Sequence, residues 1–293
     1  TSHTVDFSNR GGLFPSSSAF TFDSDGAAAY INCGQDSSIA DIFDGGGTVE
    51  AWVNADSDGG TSTGMIASKI FWFVDVIGED ASKTKLSFKE HFTGDDSQWT
   101  TVSTELTNGK WHHVAVTYDS DLDTNNPTFY IDGKSVPISQ DQPPTGDRKT
   151  DATSDLYLGD YSGGGTRMFD GRIAMVRLFD EVRTGAEIRT DMFNQKSDMD
   201  DIVGLVAMYQ FDEGQGLSVT DVSTNSNTGT ITLGGSEWAT GGIWEAGGTL
   251  SSSAGTVTIG KRDADATLFA SSYFPIGNRS LISGSKLASK AHD

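Results

Sequence analysis

Alternation of apolar and polar positions runs through most of this chain. A period of two places every second side chain on the same side of an extended strand, which is the signature of a half-buried sheet. Strands are predicted over residues 19–23, 29–33, 48–54, 65–69, 71–76, 86–91, 100–106, 111–118, 128–131, 155–158, 168–179 and 205–211. Turn-forming runs separate them: Asp44-Gly45-Gly46-Gly47, Asp58-Gly59-Gly60, Asn108-Gly109, Asp132-Gly133 and Ser162-Gly163-Gly164-Gly165. The connections are too short to hold crossover helices, so the sheets should be antiparallel.

One helix interrupts the pattern. Thr184-Gly185-Ala186-Glu187 is a capping box, in which the Thr hydroxyl accepts an early backbone N–H while the Glu side chain reaches back. Ile188 and Met192 follow four residues apart on one helical face. Beyond Gly241 the chain turns Gly/Ser/Thr-rich, with one further strand expected over residues 256–259.

Several segments together carry a family likeness. They are Thr48-Val49-Glu50-Ala51-Trp52-Val53-Asn54, Trp111-His112-His113-Val114-Ala115-Val116-Thr117-Tyr118, Phe129-Tyr130-Ile131-Asp132-Gly133-Lys134 and Phe169-Asp170-Gly171-Arg172-Ile173. The acidic-Ile pair Glu187-Ile188 and the border running from Gly204 through Tyr209 to Gly216 extend it. Over roughly residues 19–240 the chain resembles the laminin-G-like, concanavalin A-like jelly roll. The resemblance implies an all-β, antiparallel two-sheet sandwich with one short helix and a Gly/Ser-rich C-terminal extension. The expected division is a jelly-roll domain over 1–240 and, over 241–293, an extension, an assembly arm or the start of a further β module.

Composition narrows the partners. The net charge is −21, from 41 acidic and 20 basic side chains, and such a field repels phosphate backbones and anionic headgroups. No nucleic-acid partner is expected, and no membrane insertion, since no apolar run approaches spanning length. Cys33 is the single cysteine, so an internal disulfide is impossible and a small buried core residue is expected. The chain begins at Thr1 without a methionine or a signal peptide, as expected of a processed chain or part of a longer one.

Catalytic patterns are weak. Glycosidases that share this fold resemble one another in a strand of alternating carboxylates, which sets a nucleophile and an acid roughly 5 Å apart. Here the 48–54 strand carries the lone Glu50, read as a solvent-facing residue. His112 and His113 are adjacent on a strand and point to opposite faces, so they cannot serve one ion. His112 is expected in a structural hydrogen bond.

Calcium is the metal to consider. Asp119, Asp121, Asp123 and Asn125 place oxygens at every second position of one acidic loop, as a hard cation favours; a solvated hairpin loop would read the same way. Asp23 and Asp25 form a second acidic turn. In relatives, the resemblance implies, a calcium there is completed by an acid on the last long strand. This chain has Ala174 at that position, with Asp180 as a substitute only in another register.

Sugars stack on exposed aromatic faces. Trp52 and Trp111 belong to core motifs, whereas Trp72, Trp99 and Tyr161 lie in or beside loops and are the expected ligand-binding residues. Trp238 and Trp244 flank the Gly-rich junction. The expected function is a non-catalytic, lectin-like module on an extracellular or virion surface, binding a glycan or cell-surface polysaccharide, with Ca2+ as a possible aid. Two alternatives are a structural virion or tail-fibre role, with neighbouring structural subunits as partners, and a polysaccharide-degrading enzyme. The structural alternative rests on the Tyr209–Gly216 border, which is similar to segments of bacteriophage structural proteins.

Overall fold

The computed structural model describes residues 18–23, 28–80, 82–194, 202–234 and 237–240. The expected strand over 256–259, the 241–293 segment and Trp244 lie outside the described residues. In chain order the strands are β1 (Ser18–Phe22), β2 (Tyr30–Asn32), β3 (Gly47–Ala55), β4 (Thr63–Lys69), β5 (Trp72–Asp80) and β6 (Lys83–Glu90). There follow β7 (Ser97–Thr101), β8 (Leu106–Thr107), β9 (His112–Tyr118), β10 (Thr128–Ile131), β11 (Lys134–Val136) and β12 (Ile138–Gln140). The last are β13 (Tyr157–Leu158), β14 (Gly171–Phe179), β15 (Leu205–Tyr209), β16 (Ser218–Val219), β17 (Gly229–Thr232) and β18 (Glu237–Thr240), with α1 (Gly185–Asp191) between β14 and β15.

Two antiparallel sheets form the sandwich. The first runs β11-β10-β9-β3-β14-β1-β18, with β15 also on β14; the second runs β12-β7-β6-β5-β4-β13-β2-β17-β16, with β8 beside β6. Val49, Ala51, Val53, Val114, Val116, Ile173 and Leu178 of the first sheet meet Ile31, Ile66, Val74, Leu86, Phe88 and Ile231 of the second. The predicted 100–106 strand is two pieces. After Thr101 the chain leaves the ladder, Val102 donates its N–H to the Pro137 carbonyl, and pairing with β6 resumes at Leu106.

The middle of the first sheet, at β3 and β14, is covered on both faces, which is why every position of β3 is buried. Ala19, Trp52, Trp111, Ala174, Met175, Phe179 and Met208 form a second apolar layer on its outer side. Here α1 closes the sheet: its capping box is formed as expected, Ile188 and Met192 are buried, and the Trp52 indole donates to the Met192 carbonyl at 2.7 Å.

Glu50 does not face solvent. It is 1% exposed and its Oε1 accepts from the Arg177 guanidinium at 2.9 Å. The cause is a bulge in β14: the register slips between Ala174 and Arg177, with Met175 in the left-handed region at φ 53°. The extra residue turns Arg177 onto the same outer face as Glu50. Burial raises the Glu50 carboxyl, and Arg177 opposes that shift. His113 lies in the same layer, 3.7 Å from Glu50 Oε2, and burial pushes its imidazole down to about 3, aided by Arg177.

Candidate functional site

The outer face of the second sheet is different: polar, aromatic and partly open. Its composition follows from strand parity. In β5, Trp72, Val74 and Val76 enter the core, so Phe73, Asp75 and Ile77 point outward. In β6, Leu86 and Phe88 point in, and Lys85, Ser87 and Lys89 point out. Gln98 and Thr100 of β7 continue the outward row on one side, and Tyr157, Tyr30 and Asn32 on the other.

The connection between β13 and β14 folds over the middle of this face. Ser68 donates its hydroxyl to the Asp160 carbonyl at 2.9 Å, and Met65 donates its N–H to the Arg167 carbonyl at 3.0 Å. The buried Asp160 carboxylate accepts the N–H groups of Gly165 at 2.6 Å and Arg167 at 3.2 Å, which pins the loop's curvature. Gly163 has φ +68°, and a Cβ there would sit 3.1 Å from the Tyr30 ring, so glycine lets the loop lie close to the sheet.

The pinned loop sets Arg167 among aromatics. Its guanidinium carbon lies 5.2 Å from the Tyr161 ring centre and 5.8 Å from that of Phe73, and those two rings meet edge to face at 5.4 Å. The His91 ring follows at 5.6 Å from Phe73 and 6.1 Å from Phe71, and Lys149 Nζ stands 5.7 Å over Phe71. His91 Nδ1 pairs with Asp96 at 2.7 Å. A band of rings and cations thus crosses the face. A second aromatic pair, Tyr30 and Tyr157, packs at 5.7 Å beside Asn32, whose amide donates to Asp155 at 2.8 Å.

Asp75 lies beneath this band. It is 2% exposed, and its Oδ1 has no hydrogen-bond partner. Burial pushes its carboxyl up to about 7, while a hydrogen bond from Ser87 and the charges of Arg167 and Lys89 pull the other way. Ser87 in turn accepts from the Gln98 amide at 2.8 Å. Desolvation lowers the His91 imidazole, as do Lys89 and Lys149, while Asp96 opposes them. Chemically, the face offers ring surfaces, a fork of guanidinium N–H donors, ammonium groups and an amide.

Of the three aromatics expected to contact ligand, only Tyr161 sits on this face, partly exposed. Trp72 and Trp99 are corrected to the core, at 1% and 0% exposure. Trp72 meets Phe43 at 5.3 Å and donates to Asp151 at 2.7 Å; Trp99 stacks on Phe88 at 6.0 Å and donates to Asn126 at 2.9 Å. Both occupy inward positions of strands that end at loops, so neither presents a ring face to solvent. Sequence reasoning missed Arg167, Lys89, Asp75, Tyr30 and Tyr157. The alternation Lys85-Leu86-Ser87-Phe88-Lys89 carries a readable signal for one of them, because it puts both lysines opposite the core.

The acidic loop is organised by its own hydrogen bonds. Asp119 Oδ1 accepts from the Asp121 N–H at 3.0 Å, Asp121 Oδ1 accepts from the Gly45 N–H at 2.7 Å, and the Asn125 amide donates to the Asp119 carbonyl at 3.0 Å. Among the described residues, no three His, Cys, Asp or Glu side chains gather as a metal site. Asp25 lies outside the described residues, Asp23 is exposed, and Ala174 is sealed in the outer apolar layer. His112 holds Asp132 at 2.9 Å and accepts from the Thr107 N–H at 3.1 Å, a structural role. Cys33 is buried, its thiol pushed up to about 12 by desolvation.

Comparison with known proteins places this architecture. A model described as the concanavalin A-like lectin/glucanases superfamily matches residues 25–189. No curated protein matches the chain. Among solved structures, a Bacteroides ovatus protein named as a candidate carbohydrate binding protein is 19% identical, with a TM-score of 0.56 over 77% of this chain. The chain spans 60% of that protein's length. A heptameric SAP-like pentraxin from Limulus polyphemus is 12% identical, with a TM-score of 0.51 over 76% of this chain and 94% of its own.

Proposed function

The chain belongs to the concanavalin A-like lectin/glucanases superfamily, and from that premise we propose that it is a non-catalytic carbohydrate-binding module. It works on the outside of a cell or virion, and its contact surface is the outer face of the second sheet. The observation that carries this reading is the pinned loop that presents Tyr161 and Arg167 side by side above Phe73. A partly exposed ring supplies a stacking surface for the C–H side of a pyranose, and the flanking guanidinium and amide donate to its hydroxyls. The lone carboxylate of β3, Glu50, is sealed against Arg177 and reaches no substrate, which speaks for binding without hydrolysis.

Affinity electrophoresis against a panel of soluble polysaccharides tests the proposal. Wild type should be retarded by at least one polymer, Tyr161→Ala should weaken that retardation about tenfold, and chelator should leave it unchanged. Retardation by none of them, or an undiminished response in Tyr161→Ala, contradicts it.

A further inference from the structure

The charge of the contact face runs against that of the molecule. On a chain of net −21, Lys85 and Lys89 stand on the outward side of β6, Arg167 on the covering loop and Lys149 at the far end of the aromatic band. Acids do not cancel this set evenly. Asp96 faces His91 at 2.7 Å and Lys149 at 3.9 Å, so it offsets the Lys149 end. Asp141 lies beyond Gln98, accepting its backbone N–H at 2.8 Å, and Asp155 sits at the Asn32 edge. Asp160 is buried and turned into the loop's own N–H groups. In the centre, the Asp75 carboxyl stands within electrostatic reach of both Arg167 and Lys89. Its burial favours the neutral acid, so near neutral pH it balances those two cations incompletely.

Geometry gives the cations a definite use. The Arg167 guanidinium lies 5.2 Å and 5.8 Å from the centres of the Tyr161 and Phe73 rings, and its fork of N–H donors suits a planar, two-oxygen acceptor. Lys89 adds a mobile point charge on the neighbouring strand. A sugar ring packed on Tyr161 would carry its substituents onto this pair.

Building on the glycan-binding reading above, we propose that this face selects acidic saccharides, with Arg167 and Lys89 receiving a carboxylate or sulfate carried by a sugar stacked on Tyr161. Carboxylate and sulfate share the chemistry of a delocalised anion with forked oxygens; comparison of the two polymer types separates them.

The experiment measures binding of the full chain to polygalacturonate, chondroitin sulfate and neutral dextran over a series of salt concentrations, with duplex DNA as a non-saccharide polyanion. Wild type should bind one or both acidic polymers at least tenfold more tightly than dextran, with affinity falling as salt rises. Arg167→Gln and Lys89→Gln should each erode that preference several-fold with unchanged thermal melts, and Lys134→Gln, on the far sheet, should not. Equal binding of dextran and the acidic polymers, or a preference indifferent to Arg167→Gln and Lys89→Gln, overturns the proposal while leaving carbohydrate binding intact. Binding of DNA as tight as that of the acidic polymers also overturns it, as plain polyanion exchange. Binding of no saccharide at all removes both the proposal and the reading beneath it.

Discussion

Asp75 and His113 are buried titratable residues on opposite sheets, and burial moves them in opposite directions. The Asp75 carboxyl rises from 3.8 to about 7, so the folded state holds its proton more firmly than the unfolded chain. Its contribution to stability is full below 3.8 and fades as pH climbs to about 7, with a slope of at most about 1.4 kcal/mol per pH unit. His113 falls from 6.5 to about 3, so its contribution is full above 6.5 and is lost as pH drops toward 3. In wild type the two slopes oppose each other where the windows overlap. Urea melts across this range should therefore separate them: Asp75→Asn gains on wild type as pH rises, and His113→Gln gains as pH falls. Parallel pH profiles for wild type and both variants would refute the assignment. The Arg177–Glu50 pair makes a second residue-scale prediction. Arg177→Met leaves a buried carboxylate without its partner and should cost about 3–5 kcal/mol in urea unfolding. Adding Glu50→Leu should recover most of that loss, since the uncompensated charge is the source of the cost.

Among the elements, β14 does the most to shape the molecule. Gly171 opens it at φ +130°, where a Cβ would lie 2.1 Å from the Asn54 carbonyl oxygen of β3. Gly171→Ala must therefore push two paired strands apart, and a loss of roughly 2 kcal/mol or more is expected by denaturant titration. A loss within error would mean that the strand can shift freely. The beginnings and identities of most strands were legible because alternation and Gly-rich turns mark them locally. Register was not. Trp72 shares its inward face with Val74 and Val76 of its own strand, whereas Trp99, just outside the expected 100–106 strand, goes inward because it stands opposite Phe88 of β6. The bulge at Met175, which carries Arg177 to Glu50, leaves no mark in the residue pattern of 171–179. The capping box of α1 was fully readable, because its hydrogen bonds close within four residues.

For the whole molecule, the separation between a dry face and a wet face matters more than any single strand. The middle of the first sheet, at β3 and β14, is sealed on both sides, by the core within and by α1 and the outer apolar layer without. The second sheet leaves its outer side partly open, and its loop cover comes from residues 160–168, about a hundred positions away from β4, to which it bonds. Such a site is assembled from β4, β5, β6 and the loop together, which explains why Tyr161 was visible in the sequence while Arg167 and Asp75 were not. The described sandwich closes with β18 against β1, and the domain is proposed to end there. A chain ended at residue 240 should melt in one cooperative transition within about 2 °C of the full chain. A marked loss would make the 241–293 segment part of the domain.

The most direct test of the contact face is amide NMR mapping with a bound acidic oligosaccharide, such as a short galacturonate oligomer. Shifts are predicted to gather on Phe71–Asp75, Lys85–His91 and Tyr161–Arg167, with the outer layer around Trp52 and the Asp119–Asn125 loop silent. Shifts gathered on that loop, or on the α1 side of the sandwich, would contradict the account.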